Sequence, residues 1–184
     1  MYKRAIALTL FAAAIGATAC GDDDNTTQPV SKIVNFTATM TPGGEPGALV
    51  GNPTGSGTFT ASLDTSTNKF TWNGTFTGLT ANASLGHIHG PFLQGASGSA
   101  GVILNFDPAV STAAGFSGVT FTGLKAAPNG SFSGTAILNS SLQLTTAING
   151  DSLRKLLLAN AAYVNIHTAT NAGGEIRGQI IKQP

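Results

Sequence analysis

Cysteine, histidine and charge are all scarce in this chain, and each shortage excludes a class of function. There is one cysteine, Cys20, so no disulfide forms within the chain. Charged residues make up 9% of the 184 positions, against roughly 25% in an average soluble domain. The net charge is +1 and no basic stripe is present, which argues against a nucleic-acid partner. The nucleophile motif G-x-S-x-G is absent. The Gly-rich stretch Gly95 to Gly101 lacks the lysine of a phosphate-binding loop. Acidic residues number 8, too few to offer an obvious carboxylate pair for glycoside hydrolysis. The three histidines, His87, His89 and His167, are the chemical candidates that remain. The balance leans away from an enzyme.

What the chain has in quantity is glycine, 24 residues, with threonine and serine throughout. This suits an all-β domain with a hydroxyl-coated surface. From Ile33 onward the pattern has period two: Val34, Phe36, Ala38 and Met40 alternate with polar residues. After a Pro/Gly-rich loop, Phe59, Ala61 and Leu63 alternate with Thr58, Thr60 and Ser62. The turn Asp64 to Asn68 leads to a run with Phe70, Trp72, Gly74 and Phe76 on one face, predicting a hairpin with one buried side. Val102 to Phe106, Val119 to Phe121 and Phe132 to Leu138 read as further strands. One helix is expected before the strand that carries His167. Asn149 and Asp151 are its candidate caps, and Leu153, Leu156 and Leu157 lie at helical spacing. Asn171 to Gly174 reads as a tight turn, and Glu175 to Ile181 as a single last strand.

The first nineteen residues have the form of an export signal. Lys3 and Arg4 precede an apolar stretch, Ala5 to Ile15, that is too short for a membrane span. Ala17-Thr18-Ala19 is a small-residue cleavage motif directly before Cys20. The arrangement resembles a bacterial lipoprotein signal, with Ala17 where such signals usually carry leucine. That resemblance implies a lipid on Cys20, a membrane anchor, and a place in the cell envelope on the periplasmic face or the cell surface. Residues 20–32 then read as a tether. Its Asp22-Asp23-Asp24 is similar to surface-export signals of some Gram-negative lipoproteins. The domain proper is expected over 33–184.

In a strand, alternate residues share a face. His87 and His89 therefore point one way and Ile88 the other. Tyr163, Asn165 and His167 lie opposite Val164 and Ile166. Three motifs recur at an offset of 77 or 78 residues: Ser56-Gly57-Thr58 with Ser133-Gly134-Thr135, Ile88-His89 with Ile166-His167, and Gly101-Val102-Ile103 with Gly178-Gln179-Ile180. A duplication of this kind sets related strands in comparable positions of a sandwich. Three neutral imidazoles suit copper or zinc, with Cu(II) the tighter binder at an equal site. Asn165 and Glu175 are candidates to orient ring nitrogens from behind, and Arg177 lies near them. Against the metal reading stands one in which the histidines only hold loops. Glu175 and Arg177 read more simply as a surface ion pair.

The pieces HIHGP with a following GVIL strand, and YVNIHTATNAGGEIRGQI with a leucine-rich helix before it, resemble the CHRD domain, named for chordin, over roughly residues 33–182. That resemblance implies an all-β domain without a single established activity. A weaker one is to copper/zinc superoxide dismutases, through His87, His89, His167 and Asn171-Ala172-Gly173 with Arg177 nearby. It implies three copper-ligating histidines in a Greek-key sandwich. The chain departs from that family in having no fourth histidine and no disulfide, and Arg177 falls later than the family's arginine. The expectation is thus a Greek-key or immunoglobulin-like β-sandwich, with one short helix before the penultimate strand. It would carry a surface three-histidine site for copper, or zinc as the alternative, and serve in metal handling or redox chemistry. The other readings are a structural or adhesive module whose protein or glycan partner is unknown and, behind both, a dismutase-like enzyme.

Overall fold

In a computed structural model, residues 32–106, 119–122, 124, 127–145 and 147–184 are described. The export signal, Cys20 and nearly all of the tether lie outside the described residues.

Among the described residues, ten strands form two antiparallel sheets. In chain order they are β1 (Ile33–Met40), β2 (Ser56–Asp64), β3 (Lys69–Thr77), β4 (Ala83–His89), β5 (Val102–Asn105), β6 (Val119–Thr122), β7 (Gly130–Ile137), β8 (Tyr163–Thr168), β9 (Ile176–Gln179) and β10 (Ile181–Lys182). One sheet has the order β10-β1-β2-β3-β7-β6, the other β5-β4-β8-β9. The architecture is the all-β sandwich expected from the period-two pattern.

Alternation decides which side of each strand is buried. Along β3 every second residue, from Phe70 to Phe76, is buried, and the threonines and Asn73 between them are exposed. Phe59, Phe70, Trp72, Phe106 and Phe132 fill the space between the sheets, with Phe106 and Phe132 ring centroids 4.5 Å apart. Gly74 pairs with Phe132 across the β3–β7 ladder, and a Cβ there would lie 2.1 Å from the Phe132 ring. The phenylalanine occupies the space a side chain would need.

The helix α1 (Gly150–Leu158) is the single α-helix among the described residues. Asn149 caps it, accepting a hydrogen bond from the Ser152 N–H at 3.0 Å. Asp151 instead lies in the first turn beside Arg154, at 3.6 Å. Leu153 and Leu157 are fully buried, which anchors the helix just ahead of β8.

The chain end differs from the reading of one last strand. It divides at Ile180. β9 continues the four-stranded sheet beside β8, whereas β10 pairs with β1 in the six-stranded sheet. The fully buried Ile180 donates its N–H to the Ala162 carbonyl at 2.9 Å, so this buried donor is paired where the chain crosses between sheets. This crossing brings β9 under Thr41, whose N–H and carbonyl both bond to the Arg177 backbone.

The four-stranded sheet positions the histidines. β4 and β8 are its central pair, with His87 opposite Asn165, His89 opposite Tyr163 and Leu85 opposite His167. The strands that carry the repeated Gly-Val-Ile and Gly-Gln-Ile motifs, β5 and β9, form its two edges. The two Ile-His strands are thus direct neighbours.

Candidate metal centre

Ile88, Val164 and Ile166 are completely buried in the core on one side of the four-stranded sheet. The opposite side carries His87, His89, Asn165, Tyr163 and, from β9, Arg177 and Gln179 in register. That side was expected to be a surface, but it is covered. His87 is 5% exposed, His89 7% and His167 8%. The segment after β4 forms part of the cover: Ala100 bonds to His89 and Tyr163, and Gly98 accepts from Arg177. Glu45, from the loop after β1, closes another side through Asn165. No periodic pattern announces such a cover, because it is made by loops rather than by strands.

The three imidazoles converge. One nitrogen from each lies within 4.8 Å of the other two, so the group could hold a metal ion. His87 Nδ1 and His167 Nε2 are 3.0 Å apart. The backbone fixes two tautomers. His89 Nδ1 lies 2.9 Å from the Ala100 carbonyl, and His167 Nδ1 lies 2.9 Å from the Ala172 carbonyl. A carbonyl only accepts, so both Nδ1 atoms carry hydrogen. The Nε2 atoms of these neutral rings then carry lone pairs directed into the cluster. Backbone partners of this kind orient and strengthen metal-binding imidazoles. Nitrogens on one ion lie at most about 4.2 Å apart, given bonds of about 2.0–2.1 Å. That limit holds for nitrogens on opposite sides of the ion, and the tetrahedral spacing of about 3.4 Å requires the widest pair, 4.8 Å apart, to close by about 1.4 Å.

Burial sets the charge state. His87 has its pKa lowered to about 3, first by burial and then by His167 and His89 beside it. His89 and His167 are also lowered, again mainly by burial, against the raising effect of their backbone bonds. All three are neutral at pH 7, the form that binds metals.

The supporting residues divide. Asn165, buried at 2% exposure, places Oδ1 3.1 Å from both His89 Nε2 and His167 Nε2. Glu175 does not reach a histidine. Its carboxylate accepts from the Thr80 N–H and hydroxyl, the Thr168 hydroxyl and the Asn171 amide. Burial pushes its pKa up, but these hydrogen bonds outweigh burial and hold it below the usual value. Glu175 thereby ties down the turn that presents the Ala172 carbonyl to His167. Arg177 is not paired with Glu175, and neither is on the surface: they are 6% and 0% exposed. The guanidinium lies over the Tyr163 ring at 3.5 Å and the Phe92 ring at 4.3 Å. Tyr163 in turn stacks on His89, with centroids 4.7 Å apart and planes within 7°. Arg177 therefore meets the cluster through a tyrosine.

Two residues with a part in this site escape a sequence reading. Tyr163 shares the histidine face in the period-two pattern, yet nothing in the pattern marks it as a stacking partner. Glu45 gives no signal at all, since Asn165 lies 120 positions away. Burial raises the Glu45 carboxyl, against the hydrogen bond from Asn165 and the charge of Arg177.

No curated protein and no solved structure matches the chain. A family model, described as the CHRD domain, matches residues 36–180, which takes in β2 to β9 whole, most of β1, the helix and all three histidines. The chain belongs to the CHRD domain family.

Proposed function

We propose that this protein is an exported, lipid-anchored CHRD domain that binds one metal ion through His87, His89 and His167, copper before zinc. The observation that carries the reading is the pair of backbone-fixed tautomers, which turn two Nε2 lone pairs toward one point beside His87 Nδ1. Imidazoles that merely held loops would need no such convergence. An all-nitrogen imidazole set suits both metals, and the order of divalent affinities favours copper. The role that fits is metal handling, or simple redox chemistry at the bound ion. The dismutase reading lacks its fourth histidine, since the chain has three in all.

Elemental analysis of protein purified without chelator or a His-tag tests this. About one equivalent of copper or zinc per chain is the expected result. Protein that carries no metal, and takes up none when incubated with either ion, contradicts the reading.

A second reading has its own support. The outer face of the six-stranded sheet holds a hollow of about 640 Å³, lined by Asn35, Thr60, Thr71, Asn73, Ser133 and Thr135 among others. A hollow lined by hydroxyls and amides, with Lys69 among them, suits an adhesive or structural module with a protein or glycan partner. Metal-free protein from the analysis above would favour it.

The anchor rests on Ala17-Thr18-Ala19 directly before the single cysteine. Cys20→Ala is expected to move the protein from the membrane fraction to the soluble exported fraction. Unchanged detergent partitioning of the variant contradicts lipidation.

A further inference from the structure

Asn165 turns its amide oxygen toward two imidazole nitrogens at once. Its Oδ1 lies 3.1 Å from His89 Nε2 and 3.1 Å from His167 Nε2. Both ring atoms carry lone pairs, because the Nδ1 atoms of the same rings donate to backbone carbonyls. An amide oxygen has no hydrogen to offer. His167 Nε2 can accept from His87 Nδ1–H at 3.0 Å, but His89 Nε2 and Asn165 Oδ1 face each other as two acceptors without a proton between them, an arrangement that a cation stabilises. The other end of the amide is engaged: Asn165 Nδ2 donates to Glu45 Oε1 at 3.4 Å, which keeps the oxygen turned toward the imidazoles. Gly174 leaves room for this pair. It has φ +124°, and a Cβ there would lie 2.2 Å from Glu45 Oε1 and 3.0 Å from Asn165 Nδ2.

We propose that Asn165 Oδ1 is the fourth donor of the site, which is then closed by three imidazole nitrogens and one amide oxygen. This rests on the metal-binding reading and adds its donor set. Three of the separations agree, and the widest imidazole pair, 4.8 Å apart, has to close by about 1.4 Å to reach tetrahedral spacing. Donors on one ion lie about 2.9–3.4 Å apart for bonds of about 2.0–2.1 Å and angles from a right angle to tetrahedral. The distances here are 3.0 Å for His87 to His167 and 3.1 Å for each contact of Asn165.

The donor set carries a functional consequence. Structural sites fill all four positions with protein ligands, whereas catalytic sites keep one open for water or substrate. A closed site under a loop cover holds its ion rather than presenting it to a substrate. The oxygen donor and the absence of sulfur also select a divalent ion over Cu(I).

Cu(II) is the probe. Wild type, Asn165→Leu and Asn165→Asp are loaded with one equivalent, and pulsed EPR in D2O reads exchangeable water on the copper. Wild type is expected to show no inner-sphere water. Asn165→Leu is expected to admit one and to bind on the order of 10–100-fold more weakly. Asn165→Asp supplies a carboxylate oxygen at the same place and is expected to stay dry, with affinity at or above wild type. Affinity alone does not separate a ligand from a residue that orients ligands, but the water count does. Inner-sphere water in wild type overturns the proposal while leaving the three-histidine site standing. An Asn165→Leu site as dry as wild type does the same, and reduces Asn165 to a neighbour of the rings. Wild type that binds no copper overturns both.

Discussion

Metal-free protein is expected to lose stability steeply as pH falls below about 6.5. Above that value the three histidines are neutral in both the folded and the unfolded chain and contribute nothing. Below it the unfolded chain takes up protons that the folded chain refuses, because burial lowers the pKa of His87, His89 and His167. More protons on the unfolded state means that stability rises with pH, so acid destabilises. For His87 the window runs from about 6.5 down to about 3. At about 1.4 kcal/mol per pH unit, this one residue accounts for on the order of 5 kcal/mol across the window. That is comparable to the whole stability of many domains. His89 and His167 act in the same direction. Glu175, held below its usual value, adds a loss at still lower pH, whereas Glu45, raised, acts in the opposite sense. Denaturant unfolding of chelated protein from pH 8 to pH 4 measures the sum. A midpoint that is flat down to pH 6.5 and then drops is expected, with a shallower drop in His87→Asn. Stability that stays constant to pH 4 would mean the imidazoles are not buried as described.

Much of the fold is legible in the sequence because β-structure writes itself in period two. The run from Phe59 to Phe76 marks two strands, their turn and their buried face, and Trp72 at 1% exposure lies where the alternation puts it. The division of the last strand is not legible. Ile176, Gly178 and Ile180 keep alternating right up to the break, so the pattern gives no sign of it. What splits them is which sheet each half meets, a long-range choice made by Ala162 and β1.

The site is legible in part for the same reason. Period two puts His87 with His89, and Asn165 with His167, on faces opposite the isoleucines, and the β4–β8 ladder aligns those faces. The cover is silent in the sequence. Two of its decisive groups are the carbonyls of Ala100 and Ala172, which every residue possesses. Charge misleads in the last strand region. Glu175 and Arg177 look like a solvated pair on an alternating strand, yet hydroxyls and amides satisfy one and aromatic rings the other. Buried charge is tolerated where such partners replace water, and the strand pattern does not show that Thr168, Asn171 and Tyr163 take that part.

The second large effect is on metal affinity. Each histidine supplies one of three converging nitrogens, so removing any one leaves two imidazoles to hold the ion. Each His→Ala change is therefore expected to weaken binding by more than the 10–100-fold that loss of a supporting residue typically costs. The effect is not expected to be graded by strand. His167 from β8 matters as much as His87 and His89 from β4, because its Nε2 sits 3.0 Å from His87 Nδ1. The most direct measurement is calorimetric titration with Cu(II), and separately with Zn(II), at a pH above 7. Wild type is compared with His87→Ala, His89→Ala and His167→Ala, each shown to be folded. One tight equivalent in wild type, copper tighter than zinc, and marked weakening in all three variants is the predicted result. Wild-type binding by His167→Ala, or no binding by wild type, would contradict a shared three-histidine site.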